Sequence, residues 1–452
     1  MRSNFGSLTE AGAAVAIVLA LAGSPASAAP STAGDDRGFA NSGLTSVAPM
    51  TGRGFFIRPS LRTVYDTNIL RIGDGFTPIA GGQREDLRIT PLVTASLGLP
   101  VGRQQLFVVG SLGRDVFVNN TQLSRNRFSI GAGVNARAGT RCTATAAVDF
   151  DSRQVLVTEL DELVPSLQET SSYGATAQCQ SAVGFGFGGS VRRQELRNDA
   201  LARTQFSFDS MLYSGQVSYA IGNLGRFSLS GNLNKVSYIN RPVFLVGGGV
   251  DTDGVDILSG RFGYQREIGS RLSVLLGASY LESRPQPRTI LQLFATVPPA
   301  LPGIIAIPTD REKFSGLGYD AAITYRPSTR MTATFQATRN VQASANIGAQ
   351  FQVQTSVGAD VDYRLGSTIT VGAGATFDKR QYFNGVFLLG NGVRRLQDDI
   401  SRVYGSVAYA PVKLYSLGLE VAYQKRKSLP VQFGFDSLSA MLSLNVNFGR
   451  GS

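Results

Sequence analysis

The chain has 452 residues, a formal net charge of +11, two cysteines and no histidine. Hydrolases that use a Ser/His or Asp/His arrangement need histidine as their base, so the composition excludes that chemistry in its usual form. Neither enzymatic activity nor a cofactor is expected, and a metal site is not expected because histidine is missing and cysteine is scarce. The sequence contains no basic helix or basic soluble domain, so we expect no binding to nucleic acid.

The N-terminus has the pattern of a signal peptide. An apolar run at 11–22 follows Arg2, and small residues at 26–28 are typical of a cleavage site. A transmembrane anchor is the alternative, but a spanning helix needs ~20 residues. We predict a signal peptide over 1–28 that is cleaved after Ala28, a flexible periplasmic segment over 29–53 and one barrel domain over 54–452.

From about Gly54 onwards, apolar residues alternate with small or polar residues, which is the period of a β-strand. In the stretch Phe351–Tyr363 every second residue is apolar, or threonine, and the residues between them are polar or glycine. The predicted strands have about 10 to 13 residues, close to the length that a tilted membrane strand needs. The pattern therefore favours a membrane barrel, with apolar residues facing lipid and polar residues facing the lumen.

Short turns and longer loops alternate along the chain. Eight predicted turns and nine predicted loops separate about 18 strands, and an odd number of connections leaves both termini on one side. We predict an all-β, transmembrane, antiparallel up-and-down β-barrel of the bacterial outer membrane. Its short turns and both termini are expected to face the periplasm. The last strand ends at Phe448, a terminal aromatic of the kind that the outer-membrane assembly machinery recognises, although four more residues follow it.

Cys142 and Cys179 are predicted to lie opposite each other in one hairpin. The loop between their strands is centred near Leu160, which is also midway between the two cysteines. Directly paired residues in neighbouring strands can form a disulfide, and an oxidising compartment favours it. The alternative is that both are unpaired, small apolar residues.

Basic residues fall into three groups. Those after the short turns are expected to reach lipid headgroups, and those near the outer ends are expected to contact lipopolysaccharide phosphates. Arg58, Arg62 and Arg88 are predicted to face the lumen, where arginines bias a pore toward anions and acidic sugars. Pairing with lumen acids is the alternative and is compatible with this role. The acids considered are Asp66, Asp149, Asp320, Asp360 and Asp362.

The sequence supports specific predictions for two of the loops. The segment 282–312 is rich in proline and apolar residues, and the sequence leaves open whether it enters the mouth of the barrel as a lid or stays on the surface. The acidic stretch Asp251–Asp256 predicts a turn at Asp253 and Gly254, and a calcium-binding loop is the alternative.

The beginning of the barrel carries a recognisable motif. The stretch Leu61–Arg71, with Tyr65, Asp66 and Asn68, and the stretch Asp86–Pro91 resemble the β-barrel porin family associated with bacterial exopolysaccharide secretion. The resemblance implies an outer-membrane pore that supports export of a polysaccharide, with the export machinery as a partner. A non-conducting structural or adhesion barrel is the alternative function.

Overall fold

The computed structural model describes residues 54–73, 82–154, 166–295, 304–344, 349–384, 396–429 and 431–451. The predicted signal peptide and N-terminal segment lie outside these residues. The strands are β1 (Gly54–Asp66), β2 (Asp86–Val101), β3 (Gln104–Phe117), β4 (Arg125–Ala138), β5 (Cys142–Gln154), β6 (Leu167–Cys179), β7 (Gly184–Asn198), β8 (Phe208–Ile221), β9 (Gly225–Phe244), β10 (Val250–Ile268), β11 (Leu272–Gln286), β12 (Thr289–Ala295), β13 (Ile304–Asp310), β14 (Phe314–Ser328), β15 (Met331–Ala343), β16 (Phe351–Leu365), β17 (Ile369–Phe383), β18 (Gln397–Val412), β19 (Tyr415–Leu429), β20 (Phe435–Val446) and β21 (Phe448–Gly451).

The strands form a closed antiparallel barrel of 18 strands, which confirms the predicted fold class and strand number. Each barrel strand pairs with its neighbours along the chain, and β1 closes the sheet by pairing with β20 and β21. The extra residues after Phe448 belong to this closure, because Gly449 and Gly451 pair with Phe56 and Gly54 of β1. Hairpin β12–β13 is not one of the 18 wall strands: it belongs to the connection between β11 and β14 and pairs with β9 at Leu291 and Phe244.

The two ends of the barrel differ in their connections. Eight short turns lie at one end, here called the turn end, and nine longer connections lie at the other, here called the loop end. The first and last described residues, Gly54 and Gly451, pair with each other at the turn end. Glycines with positive φ make the tightest reversals possible, as at Gly139 (φ 66°) and Gly269 (φ 60°). Among the described residues, none of the helical segments has the length and apolar character of a membrane-spanning helix.

Several strands are longer than the sequence pattern predicts. Strands β9 and β10 have 20 and 19 residues, so most of the predicted loop 239–255 is strand. The predicted turn at Asp253 and Gly254 is wrong: both residues lie in β10, next to a β-bulge between Thr252 and Asp253. Cross-strand pairing with Tyr238 and Ser237 of β9 replaces the local turn that the Asp-Gly sequence favours.

Candidate functional site

The strand alternation divides the wall into an outer face and a lumen face. In β19 the side chains of Leu417, Leu419 and Val421 are exposed, while Glu420, on the opposite phase, is buried. Large apolar side chains are exposed in the same way on most barrel strands, which is the arrangement of a barrel that is surrounded by lipid. The lumen face carries mostly polar and small residues and is therefore the candidate functional surface.

The predicted arginines lie on the lumen phase of the first two strands but at different heights. Arg58 pairs with Thr94 near the turn end, and its Nε donates to the Asn447 side chain at 2.6 Å. Arg62 pairs with Thr90, so Arg62 and Arg88 are diagonal neighbours across β1 and β2. Arg88 is buried, whereas Arg58 is exposed. Their effect on the ion selectivity of a pore stays a prediction.

Ion pairs span the lumen wall farther around the barrel. Arg261 of β10 donates to both carboxylate oxygens of Asp320 in β14, at 2.6 and 2.5 Å. Strand β11 lies between these two strands, and the ion pair passes over Gly277 of β11. A Cβ atom at position 277 would lie 2.3 Å from Asp320 Oδ1 and 2.6 Å from Arg261 Nε, so only glycine fits there without a shift. In a second pair Arg402 of β18 donates to Glu420 of β19.

Cys142 and Cys179 pair directly in β5 and β6 at the turn end, on the outer phase. The structure joins them by a disulfide with an S–S distance of 2.06 Å. Just beyond them, the backbone N–H of Gln180 donates to the carbonyl of Arg141 at 2.8 Å, so pairing continues into the turn.

The loop end is much more densely packed than the turn end. All of the largest fully buried side chains of the described chain come from the loop-end parts of strands or from the loops themselves. They are Tyr238, Phe117, Phe351, Leu196, Gln350, Gln352, Val255, Val353, Asn120, Asp86, Asp253 and Asp398. At the turn end, lumen-phase residues such as Arg137 and Arg364 are exposed. The described part of the lumen is therefore open at one end and filled with side chains at the other.

Asp253 is the centre of the filled end. Its carboxylate is fully buried and accepts hydrogen bonds from Arg311 at 2.9 Å, Gln350 at 2.8 Å and Arg241 at 3.3 Å. Arg241 also stacks on the ring of Tyr238, with Cζ 3.9 Å from the ring centroid. Burial lowers the pKa of Arg311, and the charge of Asp253 acts in the opposite direction. We call these five residues the Asp253 cluster.

The Asp253 cluster joins three connections that are distant in the chain. Arg311 follows hairpin β12–β13, Gln350 precedes β16, and Arg241 lies near the β9–β10 connection. The tip of the segment 282–312, at 296–303, lies outside the described residues, so whether this loop enters the mouth stays a prediction. The alternative prediction is a calcium loop at 251–256; in the structure the Asp253 carboxylate binds Arg241, Arg311 and Gln350. The described residues contain no group of three His, Cys, Asp or Glu side chains that could hold a metal ion.

An apolar cluster lies beside the Asp253 cluster and departs from the predicted pattern. Phe351 and Val353 share the phase of Val357, which is exposed on the outer face, yet both are buried. Phe351 packs in one cluster with lumen-phase residues of β7–β10, among them Val255. Pairing between β14 and β15 begins only at Tyr319 and Arg339, so the loop-end parts of β15–β17 separate from β14 and bend inside the wall. The prediction that Phe351 and Val353 face lipid is therefore wrong.

The motif near the start of the barrel has a structural role. The carboxylate of Asp66 accepts from Ser437 of β20 at 2.5 Å and pairs with Arg71 at 2.7 Å, which fastens the first strand to the last. The Asp86 carboxylate accepts from the backbone N–H of Asn119 and Asn120 at 2.9 and 2.8 Å and so orders the β3–β4 loop. The sequence predicts Asp66 as a lumen acid and marks Asp86 only as part of the family motif, so neither contact follows from the sequence pattern.

Comparison with known proteins matches part of the chain to a family. Residues 310–448 match the family model "Putative beta-barrel porin 2". The chain is an 18-stranded β-barrel whose residues 310–448 are similar to this porin family. No curated protein matches the sequence. The match covers the strands from β14 to β20 of this porin-like barrel. These strands include the segment around Phe351 that bends inside the wall and strand β20, which pairs with β1.

Solved outer-membrane barrels resemble this porin-like barrel at very low sequence identity. OccK2 (OpdF) from Pseudomonas aeruginosa, solved in complex with glucuronate, is 10% identical with a TM-score of 0.45, over 88% of this chain and 100% of that one. OpdL from the same species is 10% identical with a TM-score of 0.41, over 88% and 98%. The siderophore receptor PirA from Acinetobacter baumannii is 6% identical with a TM-score of 0.44, over 89% and 81%.

Proposed function

We propose that this porin-like barrel conducts saccharides across the outer membrane and that its main cargo is an exopolysaccharide leaving the cell. The observation that carries the proposal is the division of the wall, with exposed apolar side chains outside and a polar lumen face inside. An 18-stranded barrel is wide enough to hold a water-filled channel. The turn end and both chain ends lie in the periplasm in this proposal, and the loop end faces the medium.

The Asp253 cluster is the proposed gate of this pore. It fastens three loops at the mouth, and the neighbouring cluster around Phe351 fills the space beside it. Opening requires the loops to separate, which breaks buried charged hydrogen bonds and is therefore costly unless cargo or a partner compensates.

Lumen arginines contribute a second property. Arg62 and Arg88 on β1 and β2 are proposed to favour anionic cargo, since rings and ladders of arginine attract anions into a pore. On the opposite part of the wall, Arg261 and Asp320 form an ion pair with no net charge. This part of the wall therefore adds little to the preference for anions.

The remaining partners in the proposal are those of an outer-membrane barrel. Outer-phase basic residues at the loop end, such as Arg193, Lys425 and Lys427, are suited to lipopolysaccharide phosphates. The closing strand with Phe448 is suited to the outer-membrane assembly machinery, and polysaccharide export machinery is the expected periplasmic partner.

Single-channel recording in a planar bilayer tests conduction. We expect discrete conductance steps, and a larger open fraction when the Asp253 cluster is disrupted. A barrel that stays silent in both forms would contradict the pore. In the cell, deleting the gene should reduce extracellular polysaccharide, and an unchanged yield would contradict the export role while leaving a general porin.

A structural or adhesion barrel is the second candidate function. The dense packing of the loop end favours it, because the buried side chains from Phe117 to Asp398 leave the described mouth filled. This candidate predicts that no conductance appears even when the gate residues are replaced.

A further inference from the structure

Positive charge is concentrated at the turn end. The eight turns, together with three strand residues on either side of each, contain nine arginines and one lysine but a single carboxylate, Glu267. The basic residues are Arg103, Arg137, Arg141, Arg226, Arg266, Arg271, Arg326, Arg330, Arg364 and Lys413. Counted in the same way, eight of the nine loop-end connections contain at least one carboxylate, so the charge is distributed unevenly along the barrel axis.

A subset of these arginines lies on the lumen face. Arg137, Arg226, Arg326 and Arg364 are on the lumen phase of β4, β9, β14 and β16, as is Arg58 of β1 slightly farther in. Together they surround the opening, and no two neighbours are separated by more than five strands of the barrel. We call these five residues the entrance ring. Lumen-phase side chains point away from the membrane, so lipid headgroups cannot be their main partner.

The ring has few acidic neighbours. Glu267 lies on the same phase of β10, and Asp362 lies one lumen position above Arg364. Arg58 donates to Asn447, which is uncharged, and the Gln180 amide oxygen can accept from Arg226 once the amide is turned. Arg58, Arg137, Arg326 and Arg364 are exposed to the solvent of the opening. A ring of exposed guanidinium groups attracts anions strongly.

We propose that the entrance ring is a binding site for a polyanionic saccharide, whose carboxylate groups it captures as the chain enters the lumen. Arginine is suited to this role because its planar guanidinium binds a carboxylate through two parallel hydrogen bonds. A polymer with repeated carboxylates engages several arginines at once, which a single small anion cannot do. This inference rests on the proposed function and names its substrate class as acidic.

Binding in detergent micelles tests the site without requiring conduction. The probe is a fluorescently labelled oligogalacturonate, measured by anisotropy, with a neutral maltooligosaccharide of the same length for comparison. The ring variant is R137Q/R226Q/R326Q/R364Q. The matched control, R193Q/K379Q/K425Q/K427Q, removes four positive charges from the outer phase of the loop end. A third variant, R103Q/R141Q/R271Q/R330Q, neutralises arginines in the turns themselves.

We expect salt-sensitive binding of the acidic probe to the unmodified protein and binding at least about tenfold weaker in the ring variant, because four charge-assisted contacts are lost. The loop-end control should stay within about twofold, since screening over a Debye length isolates it from the opening. Heat-shifted mobility on gels verifies that each variant is folded, and single replacements at Arg137 and Arg364 give the answer if the quadruple variant does not fold.

Three results would overturn the site. The first is that the neutral probe binds as tightly as the acidic probe. The second is that the loop-end control loses as much affinity for the acidic probe as the ring variant. The third is that the turn variant loses affinity and the ring variant does not, which would indicate a docking face for a periplasmic protein. Failure of the pore is distinguishable: a protein that binds the acidic probe but never conducts retains the site and loses the proposed function.

Discussion

Arg311, in the connection between β13 and β14, donates to the fully buried carboxylate of Asp253 in β10 at 2.9 Å. The two residues are 58 positions apart, and Arg241 reaches the same carboxylate from β9. One buried acid therefore compensates two buried guanidinium groups. The loss of that acid leaves both of them uncompensated in the packed mouth of the barrel.

The variant Asp253→Asn should open the mouth. Breaking a buried ion pair by removing one partner costs about 3–5 kcal/mol. Here the loss destabilises the contacts that hold three loops together. We expect a larger open fraction in single-channel records and faster hydrogen exchange in residues 349–353 and 307–313. The wall below the mouth should keep its protection.

Asp251→Asn is the matched control, because Asp251 lies two residues earlier in the same strand but is exposed. It should leave the open fraction unchanged. A loss of thermal stability in Asp253→Asn without any change in open fraction would assign the cluster a purely structural role.

The variant Asp66→Asn should weaken closure of the barrel. Asp66 of β1 accepts from Ser437 of β20 and pairs with Arg71, and all three are buried or nearly so. We expect the unfolding transition to move to a lower temperature, with a loss of about 3 kcal/mol because Arg71 is left without its carboxylate. Gel mobility after stepwise heating measures the transition. Asp436→Asn is the control, since Asp436 is exposed next to Ser437, and a similar loss in the control would contradict the assignment.

The barrel could be predicted from the sequence because the features that specify it lie close together in the chain. Alternation of side chains, glycine in short turns and the length of the strands all act within one hairpin, and together they give the fold and its 18 strands. The pairing of Cys142 with Cys179 follows in the same way from the centre of one loop.

The loop end could not be predicted because its contacts are not local. Asp253 receives partners from two distant connections, and the Asp-Gly sequence on its own favours a turn. The alternation places Phe351 correctly on the apolar phase but carries no information on whether lipid or another part of the wall covers that phase. Partner identity at such positions depends on tertiary packing.

The disulfide should stabilise the barrel measurably. The cysteines are separated by 37 residues in the sequence, and the loop-entropy model gives about 4 kcal/mol as an upper estimate for a loop of that size. We expect the purified protein to resist alkylation until it is reduced, and the double variant C142S/C179S to unfold at lower urea concentration in micelles. Rapid alkylation of the unreduced folded protein would contradict the bond.

The variant Asp320→Asn should increase anion selectivity. Arg261 then loses its bidentate carboxylate and presents an uncompensated positive charge to the lumen of β10 and β14. A conducting barrel under a salt gradient should show a reversal potential shifted toward that of the anion, and the shift should diminish at high salt as the charge is screened. Glu282→Gln is the control, because Glu282 also pairs with an arginine, Arg284, but lies on the outer phase of β11. Equal shifts in both variants would mean that selectivity follows overall charge and that Arg261 does not face the conducting path.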